Sequence, residues 1–311
     1  MPTDSLHQPV LLQEAVEGLN INPAGVYIDA TFGRGGHTKE ILRQLSNKGR
    51  LLAIDRDPAA VEEAQSLGEA DERLVVRHGA FGEIAKTVIE SGFKAGTVDG
   101  VLFDLGVSSP QLDESQRGFS FIHDGPLDMR MDPTCGDSAE QWINSASEKE
   151  ISDVLFKYGE ERHARRMARQ LIQERSEQPI TNTGRLAEII KQANPSWEKD
   201  KHPATRAFQA IRIFINDELG ELEKGLQQTL EILRPGGRMV VISFHSLEDR
   251  KVKRFIATQS RGDGFPRDLP VTQSMLSPTV KSVGKAIKPG RDEITGNPRS
   301  RSAVMRVAEK L

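Results

Sequence analysis

The stretch Val26-Tyr-Ile-Asp29-Ala-Thr-Phe32-Gly33-Arg-Gly35-Gly36-His37, followed by Leu51-Leu-Ala-Ile-Asp55, decides the fold of this chain. It reads as an apolar strand, a glycine loop, a helix and a second strand that ends in a carboxylate. The run ending at Ile28 suits a buried parallel strand. Gly33, Gly35 and Gly36 let the backbone turn sharply and approach a ligand where a Cβ would intrude. Asp55 closes the second run, a position from which a carboxylate accepts both hydroxyls of a ribose. A tight strand-to-helix turn with no ligand is the plainer alternative; strand, loop and acid together at βαβ spacing weigh against it.

The dinucleotide fingerprint G-x-G-x-x-G would need glycine where Thr38 stands, which argues against a nicotinamide-dependent oxidoreductase. The order acid, two residues, Phe-Gly-x-Gly-Gly instead resembles the first motif of the S-adenosylmethionine (SAM) dependent methyltransferases. Their cofactor has no pyrophosphate to set on a helix N-terminus.

Working outward, Pro58 to Leu67 reads as a helix and Arg73 to His78 as a short strand running into Gly79-Ala-Phe81. A fourth strand, Val98 to Asp104, is followed by Leu105-Gly-Val-Ser-Ser-Pro-Gln111. Strands separated by helices predict an α/β fold with a parallel, doubly wound, Rossmann-like sheet, whose ligands sit beyond the carboxyl ends of the strands. Asp29, Asp55, Phe81 and Asp104 all fall there.

From about Glu114 to Pro203 the alternation stops. A Gly-, Pro- and Asp-rich stretch, Arg117 to Thr134, reads as an ordered loop. Helices are predicted over Ser138–Ala146, Glu148–Tyr158, Glu160–Arg175 and Thr183–Ala193, with Ser138, Ser147 and Thr183 as N-caps. The expected organisation is a sheet domain in two parts, 1–113 and 205–311, interrupted by an all-helical insertion over 114–204 suited to substrate recognition. A helical stretch from Thr205 to Leu233 stops at Arg234-Pro-Gly-Gly237. It is followed by a fifth strand, Arg238 to Phe244, and a helix begun by Ser246 with Glu248 and Asp249 in its first turn. Residues 261–300 read as loop-rich, with a final edge strand over Ser302–Val307.

At 311 residues and 37% hydrophobic content, the chain supports a globular core without staples. The single cysteine, Cys135, excludes an internal disulfide and a multi-cysteine zinc site, so no metal is expected and a reducing cytosol fits. No apolar run approaches the roughly 18 residues needed to span a bilayer, and the first residues lack the features of a signal peptide. A cytoplasmic protein without a membrane partner is expected.

The formal charge of −3 is unevenly spread. Arg250 to Arg306 holds thirteen Lys/Arg against four Asp/Glu, net +9, which leaves −12 for the remainder. Such a segment suits phosphate contact or a solvated tail. On the helix read at Glu160–Arg175, Ala164, Met167, Ala168, Leu171 and Ile172 form an apolar face opposite Arg162, Arg165, Arg166 and Arg169. That arginine stripe reads first as a solvated face, with phosphate contact as the alternative.

Several segments together resemble one family. They are His7-Gln-Pro-Val-Leu-Leu12, Phe32-Gly-Arg-Gly-Gly-His37, Ala53-Ile-Asp-Arg-Asp57, Asp104-Leu-Gly-Val-Ser-Ser-Pro-Gln-Leu112 and Arg117-Gly-Phe-Ser-Phe121. Gly125-Pro-Leu-Asp-Met-Arg-Met131, Tyr158-Gly-Glu-Glu-Arg162, Ser243-Phe-His-Ser-Leu-Glu-Asp-Arg250 and Asn297-Pro-Arg-Ser-Arg-Ser302 complete the set. Over essentially its whole length the chain is similar to the RsmH (MraW) family of bacterial 16S rRNA cytosine-N4 methyltransferases. The resemblance implies a class I SAM methyltransferase sheet with an inserted helical domain, SAM as cofactor, and 16S rRNA in the small ribosomal subunit as partner. The implied target is a decoding-centre cytidine, position 1402 in the usual rRNA numbering. A homodimer is compatible with the chain, whose oligomeric state the sequence does not fix.

By position, the resemblance assigns Gly35, Gly36 and His37 to the cofactor loop and Asp55 to the ribose, with Phe81, Asp104 and Gln111 completing the cofactor contacts. Phe81 offers a face or edge to adenine. Gln111 rests mainly on the resemblance, and His37 has the alternative of capping or packing a helix. Asp104 is the one catalytic candidate, as an acceptor near the methionine ammonium or the base amine. Many amino-methyltransferases carry Asp/Asn/Ser-Pro-Pro-aromatic after the fourth strand, whereas Asp104-Leu-Gly-Val107 lacks both prolines and the aromatic. The helical insertion and the basic segment, with Lys281, Lys285 and Lys288, are expected to bind rRNA. Methylation of DNA or another RNA amine, and a non-catalytic RNA-binding factor on a SAM fold, are the competing readings.

Overall fold

The computed structural model describes residues 9–194, 202–262, 272 and 276–311. His7 and Gln8 of the first family segment, and Arg267 of the basic segment, lie outside the described residues. The chain divides into two compact units, one of residues 1–106 with 220–311, the other of residues 107–219.

In the first unit β1 (Val26–Asp29) pairs in parallel with β2 (Arg50–Asp55) and β4 (Val98–Asp104), and β2 pairs in parallel with β3 (Leu74–His78). Side chains alternate between the two faces of these strands, which is why the runs read as almost continuously apolar. Tyr27, Leu51, Ala53 and Leu102 share one core with α1 (Leu12–Leu19) and α2 (Gly36–Gln44). Ile28, Leu52, Ile54, Val101 and Phe103 share the other with α4 (Ile84–Glu90). Between β2 and β3, α3 (Pro58–Ala70) is N-capped by Asp57, whose carboxylate accepts from the Ala59 amide at 3.1 Å.

The helical unit holds α5 (Ser109–Asp113), α6 (Ala139–Ser145), α7 (Glu148–Gly159), α8 (Ala164–Glu177), α9 (Thr183–Ala193) and α10 (Thr205–Ile215). Ser138 and Ser147 close capping boxes, as read from the sequence. Two expectations change. Glu160 takes a left-handed conformation (φ 51°) that ends α7, so the next helix begins at Ala164 instead of Glu160. Asn182, not Thr183, caps α9. The unit also reaches past the expected limit at 204, because Ala207, Phe208, Ala210 and Ile211 of α10 are buried in the helical core. Its loop over 117–134 is tied down by buried Asn216, which accepts from the Met131 amide at 2.8 Å and donates to the Met129 carbonyl at 2.7 Å. Arg165, Arg166 and Arg169 of α8 are exposed, as is Arg162, which precedes the helix.

The expected helical stretch from Thr205 to Leu233 is two helices, broken where Asp217 adopts φ 46°. The second, α11 (Glu218–Ile232), carries the chain back into the first unit. There β5 (Leu233–Ser243) pairs in parallel with β4, and α12 (Ser246–Arg261) follows. The stretch read as loop-rich contains a strand, β6 (Val280–Ile287), and a short helix, α13 (Arg291–Gly296). The expected final edge strand, β7 (Val304–Lys310), is not an edge: it lies antiparallel between β5 and β6. The real edge, β6, escapes a reading of periodicity because only Val280 and Val283 of its eight residues are even partly covered, and lysines occupy 281 and 285, the dress of an edge strand. The order β3-β2-β1-β4-β5-β7-β6 sets five parallel strands beside the antiparallel pair β7 and β6, an α/β sheet of the expected doubly wound kind. Among the described residues no helix is long and apolar enough to cross a membrane.

Candidate active site

The carboxyl ends of β1, β2, β3 and β4 bring together six of the seven sequence-predicted site positions, all but Gln111. The glycines of the β1–α2 loop divide the work. Gly33 is left-handed (φ 54°) with open space where a Cβ would stand, leaving room for a ligand against the backbone. Gly35, also left-handed (φ 69°), starts α2, and a Cβ there would meet the Phe32 ring at 2.5 Å. At Gly36 a Cβ would collide with the Pro9 ring. Asp55 clamps this loop: one carboxylate oxygen accepts from the Gly33 amide and the other from the Asp57 amide, both at 2.8 Å. Each oxygen keeps a second lone pair for a ribose hydroxyl.

Asp29 is buried and accepts from the Thr38 hydroxyl at 2.7 Å and the Thr31 amide at 3.2 Å. Burial pushes its carboxyl up to about 6 against those hydrogen bonds. The Thr31 hydroxyl accepts from the Asp104 amide at 2.7 Å, tying the end of β4 to the β1 loop. Burial raises the Asp104 carboxyl well above the usual carboxylate range, and the charges of Asp29 and Glu248 raise it further. Its Oδ1 is buried with no hydrogen-bond partner. Phe81 lies half-buried just past β3, edge-on to Phe103 with ring centroids 5.6 Å apart. Its turn is held from α11, where Gln228 donates to the Gly82 carbonyl at 2.6 Å and Glu221 accepts from the Gly82 amide at 3.1 Å.

His37, in the first turn of α2, is buried, so its packing role holds. It also faces the site: Nδ1 lies 3.5 Å from an Asp104 oxygen, while Nε2 has no hydrogen-bond partner. Burial lowers the imidazole to about 4, opposed by the Val10 backbone, so it is neutral at pH 7. The unfolded imidazole titrates near 6.5. The unfolded chain therefore binds the extra proton below 6.5, and stability present above that pH is lost as pH falls toward 4, by about 3 kcal/mol. Asp29, raised from 3.8 to about 6, gives the opposite slope, costing stability as pH rises through that window. A His37→Asn variant is expected to lack the acid loss, so that its denaturant-unfolding free energy gains on wild type between pH 6.5 and 4. A constant difference would refute the burial of a neutral imidazole.

Gln111 belongs to the helical unit, where its side chain closes the capping box of α5 by accepting from the Ser108 amide at 2.9 Å. Sequence reading missed the supporting roles of Thr31 and Thr38, and of Glu248, which is buried and accepts from the Phe244 and His245 amides at 2.8 and 3.2 Å. In the Ser243–Arg250 segment the observed N-cap of α12 is His245, and Glu248 sits three residues after it to close a capping box.

The site thus concentrates carboxylates, and no Lys or Arg pairs with Asp29 or Asp104 among the described residues. A ligand bearing positive charge relieves that repulsion. Asp55 and the Phe81 ring stand at the same strand ends. The profile of the MraW methylase family matches residues 4–311. The chain belongs to the MraW methylase family. Two relatives extend the match: the "Ribosomal RNA small subunit methyltransferase H" of Chromohalobacter salexigens is 57% identical over 309 residues, covering 99% of this chain and 92% of the relative. The protein of the same name from Pseudoalteromonas atlantica is 56% identical over 313 residues, covering 100% of both. For this MraW-family chain the cofactor is SAM, whose sulfonium and ammonium suit the carboxylate cluster, and whose adenosine suits Asp55 and Phe81.

Proposed function

We propose that the chain transfers the methyl group of SAM to N4 of the decoding-centre cytidine, position 1402, in 16S rRNA of the small ribosomal subunit, acting in the cytoplasm. The observation that carries this reading is the full-length match to two relatives named for small-subunit rRNA methylation. Gly33 would leave room for the cofactor against the loop backbone, which Gly35 and Gly36 shape by packing on Phe32 and Pro9, while Asp55 would hold its ribose and Phe81 its adenine. SAM supplies an electrophilic methyl, so the lone Cys135 has no nucleophilic part to play.

The chemical difficulty lies with the acceptor, because the N4 lone pair is delocalised into the pyrimidine ring. An acceptor placed on an N4 hydrogen favours a pyramidal nitrogen whose lone pair points at the methyl carbon. As the N–C bond forms and the C–S bond breaks, the nitrogen loses its proton. Asp104 has the oxygen for this: Oδ1 is buried and unpartnered, and burial and neighbouring acids raise the basicity of its carboxylate. Thr31 fixes the Asp104 backbone and His37 flanks its other oxygen, which supplies the positioning that an in-line reaction needs.

The test is methyl transfer from labelled SAM to three acceptors: naked 16S rRNA, mature small subunits, and small subunits from cells lacking the modification. The reading expects label in the unmodified acceptor and little in mature subunits, whose site is already methylated. Equal labelling of mature and unmodified subunits, or labelling of DNA instead, would contradict it.

A further inference from the structure

At the outer edge of the sheet, α12 and the antiparallel pair β6 and β7 line a half-open groove of about 250 Å³. A bulge makes room for it. The pairing of β6 with β7 runs in register from Val280↔Lys310 to Val283↔Val307 and resumes at Ile287↔Met305. Gly284, Lys285 and Ala286 therefore stand opposite Arg306 alone, with Gly284 in a left-handed conformation (φ 68°). The floor is apolar, built from Ile256, Val283 and Val307. Lys253, Ala257 and Ser260 follow one another along α12 at helical spacing, and Lys285 comes from the bulge.

The cations of this edge fall into two groups. Arg306 is neutralised by Asp249 at 2.7 and 3.1 Å, Lys281 by Glu309 at 2.7 Å, and Lys251 by Glu223 at 2.5 Å. Lys253 and Lys285, both lining the cavity, have no ion-pair partner among the described residues. The Ser260 hydroxyl, also on the lining, has no hydrogen-bond partner. Lysines and a bulge protect an edge strand from pairing with other chains. Protection alone explains neither an apolar floor lined by two lysines that have no ion-pair partner among the described residues nor the unsatisfied Ser260 hydroxyl on the same lining. An apolar floor for a base or ribose with cations for a phosphate is the chemistry of single-stranded nucleic-acid binding. The volume is below the roughly 300 Å³ at which pockets for free small ligands begin, which suits one nucleotide held as part of a strand.

We propose that this groove holds one nucleotide of the rRNA strand away from the reacting base, with its phosphate on Lys253 and Lys285 and its base or sugar on the apolar floor. The inference rests on the reading of the chain as an rRNA methyltransferase. It corrects the expected set of contacts: Lys253 joins Lys285, and Lys281, already paired, leaves.

The experiment uses the full chain and compares wild type with Lys253→Gln/Lys285→Gln, with Ala257→Glu, which puts a carboxylate in the groove, and with Lys281→Gln. Affinity for 16S rRNA is measured over a salt series and SAM affinity by calorimetry. The double variant is expected to lower the slope of log affinity against log salt by about one, because the two lysines share one phosphate. Ala257→Glu is expected to weaken RNA binding as well, Lys281→Gln to leave the slope near that of wild type, and all three to bind SAM normally. Wild-type rRNA affinity and slope in both groove variants would overturn the groove and leave the methyltransferase reading standing. Absence of rRNA binding and methylation in the wild type itself would overturn both.

Discussion

Asp104→Asn is expected to cut methyl transfer by about 10²–10³-fold, the usual cost of removing one well-placed electrostatic group from a reacting centre, while the protein becomes harder to unfold. The two effects have one cause. Asp104 is a half-buried acid whose buried Oδ1 has no partner and whose charge is repelled by Asp29 and Glu248. An uncharged isostere removes that repulsion and with it the acceptor for the N4 hydrogen, a trade of stability for activity common at catalytic centres. Thermal unfolding at pH 7 should show a melting temperature above that of wild type, which excludes misfolding as the cause of lost turnover. Retained activity, or lost activity with a lowered melting temperature, would remove Asp104 from the chemistry.

The second large effect is on cofactor binding. Asp55→Ala removes a charged acceptor for the ribose and also releases the amides of Gly33 and Asp57 that the carboxylate holds at 2.8 Å. Hydrogen bonds to a charged group contribute roughly 1.5–3 kcal/mol each, so SAM affinity should fall at least tenfold, by about a hundredfold if the loop loosens as well. Asp55→Asn keeps one carbonyl oxygen to hold a loop amide and should lose less. Calorimetric titration of both variants measures this directly. Wild-type affinity in Asp55→Ala would contradict the ribose assignment, and equal losses in the two variants would contradict the loop clamp.

The central sheet was legible because its strands are buried on both faces. Tyr27 and Ile28, or Leu51 and Leu52, point to opposite cores, and each run ends in the residue the site uses. The rest was hidden for physical reasons. β6 is exposed, lysine-bearing and bulged, so its composition matches a loop. The break between α10 and α11 depends on Asp217 taking a left-handed conformation, which no periodicity reports. α10 reads equally well as the start of the returning sheet domain or the end of the helical insertion, and only the burial of Ala207, Ala210 and Ile211 decides. In the site, acids at strand ends could be read directly. The tie from Thr31 to Asp104 joins positions 73 residues apart and exists only once β1 and β4 pair. The charge count identified a basic segment, but the ion pairs of Lys281 and Arg306 show that net charge overstates the cations left for a ligand.

The identity of the methylated atom is the most direct test of methyl transfer to N4. Small subunits lacking the modification would be incubated with the protein and labelled SAM, the rRNA digested, and the product located by fragment mapping and nucleoside mass spectrometry. A single N4-methylcytidine at position 1402 is expected, reduced by about 10²–10³-fold when Asp104→Asn is used. A methyl group on ring carbon, on a ribose oxygen or on another nucleotide would contradict it.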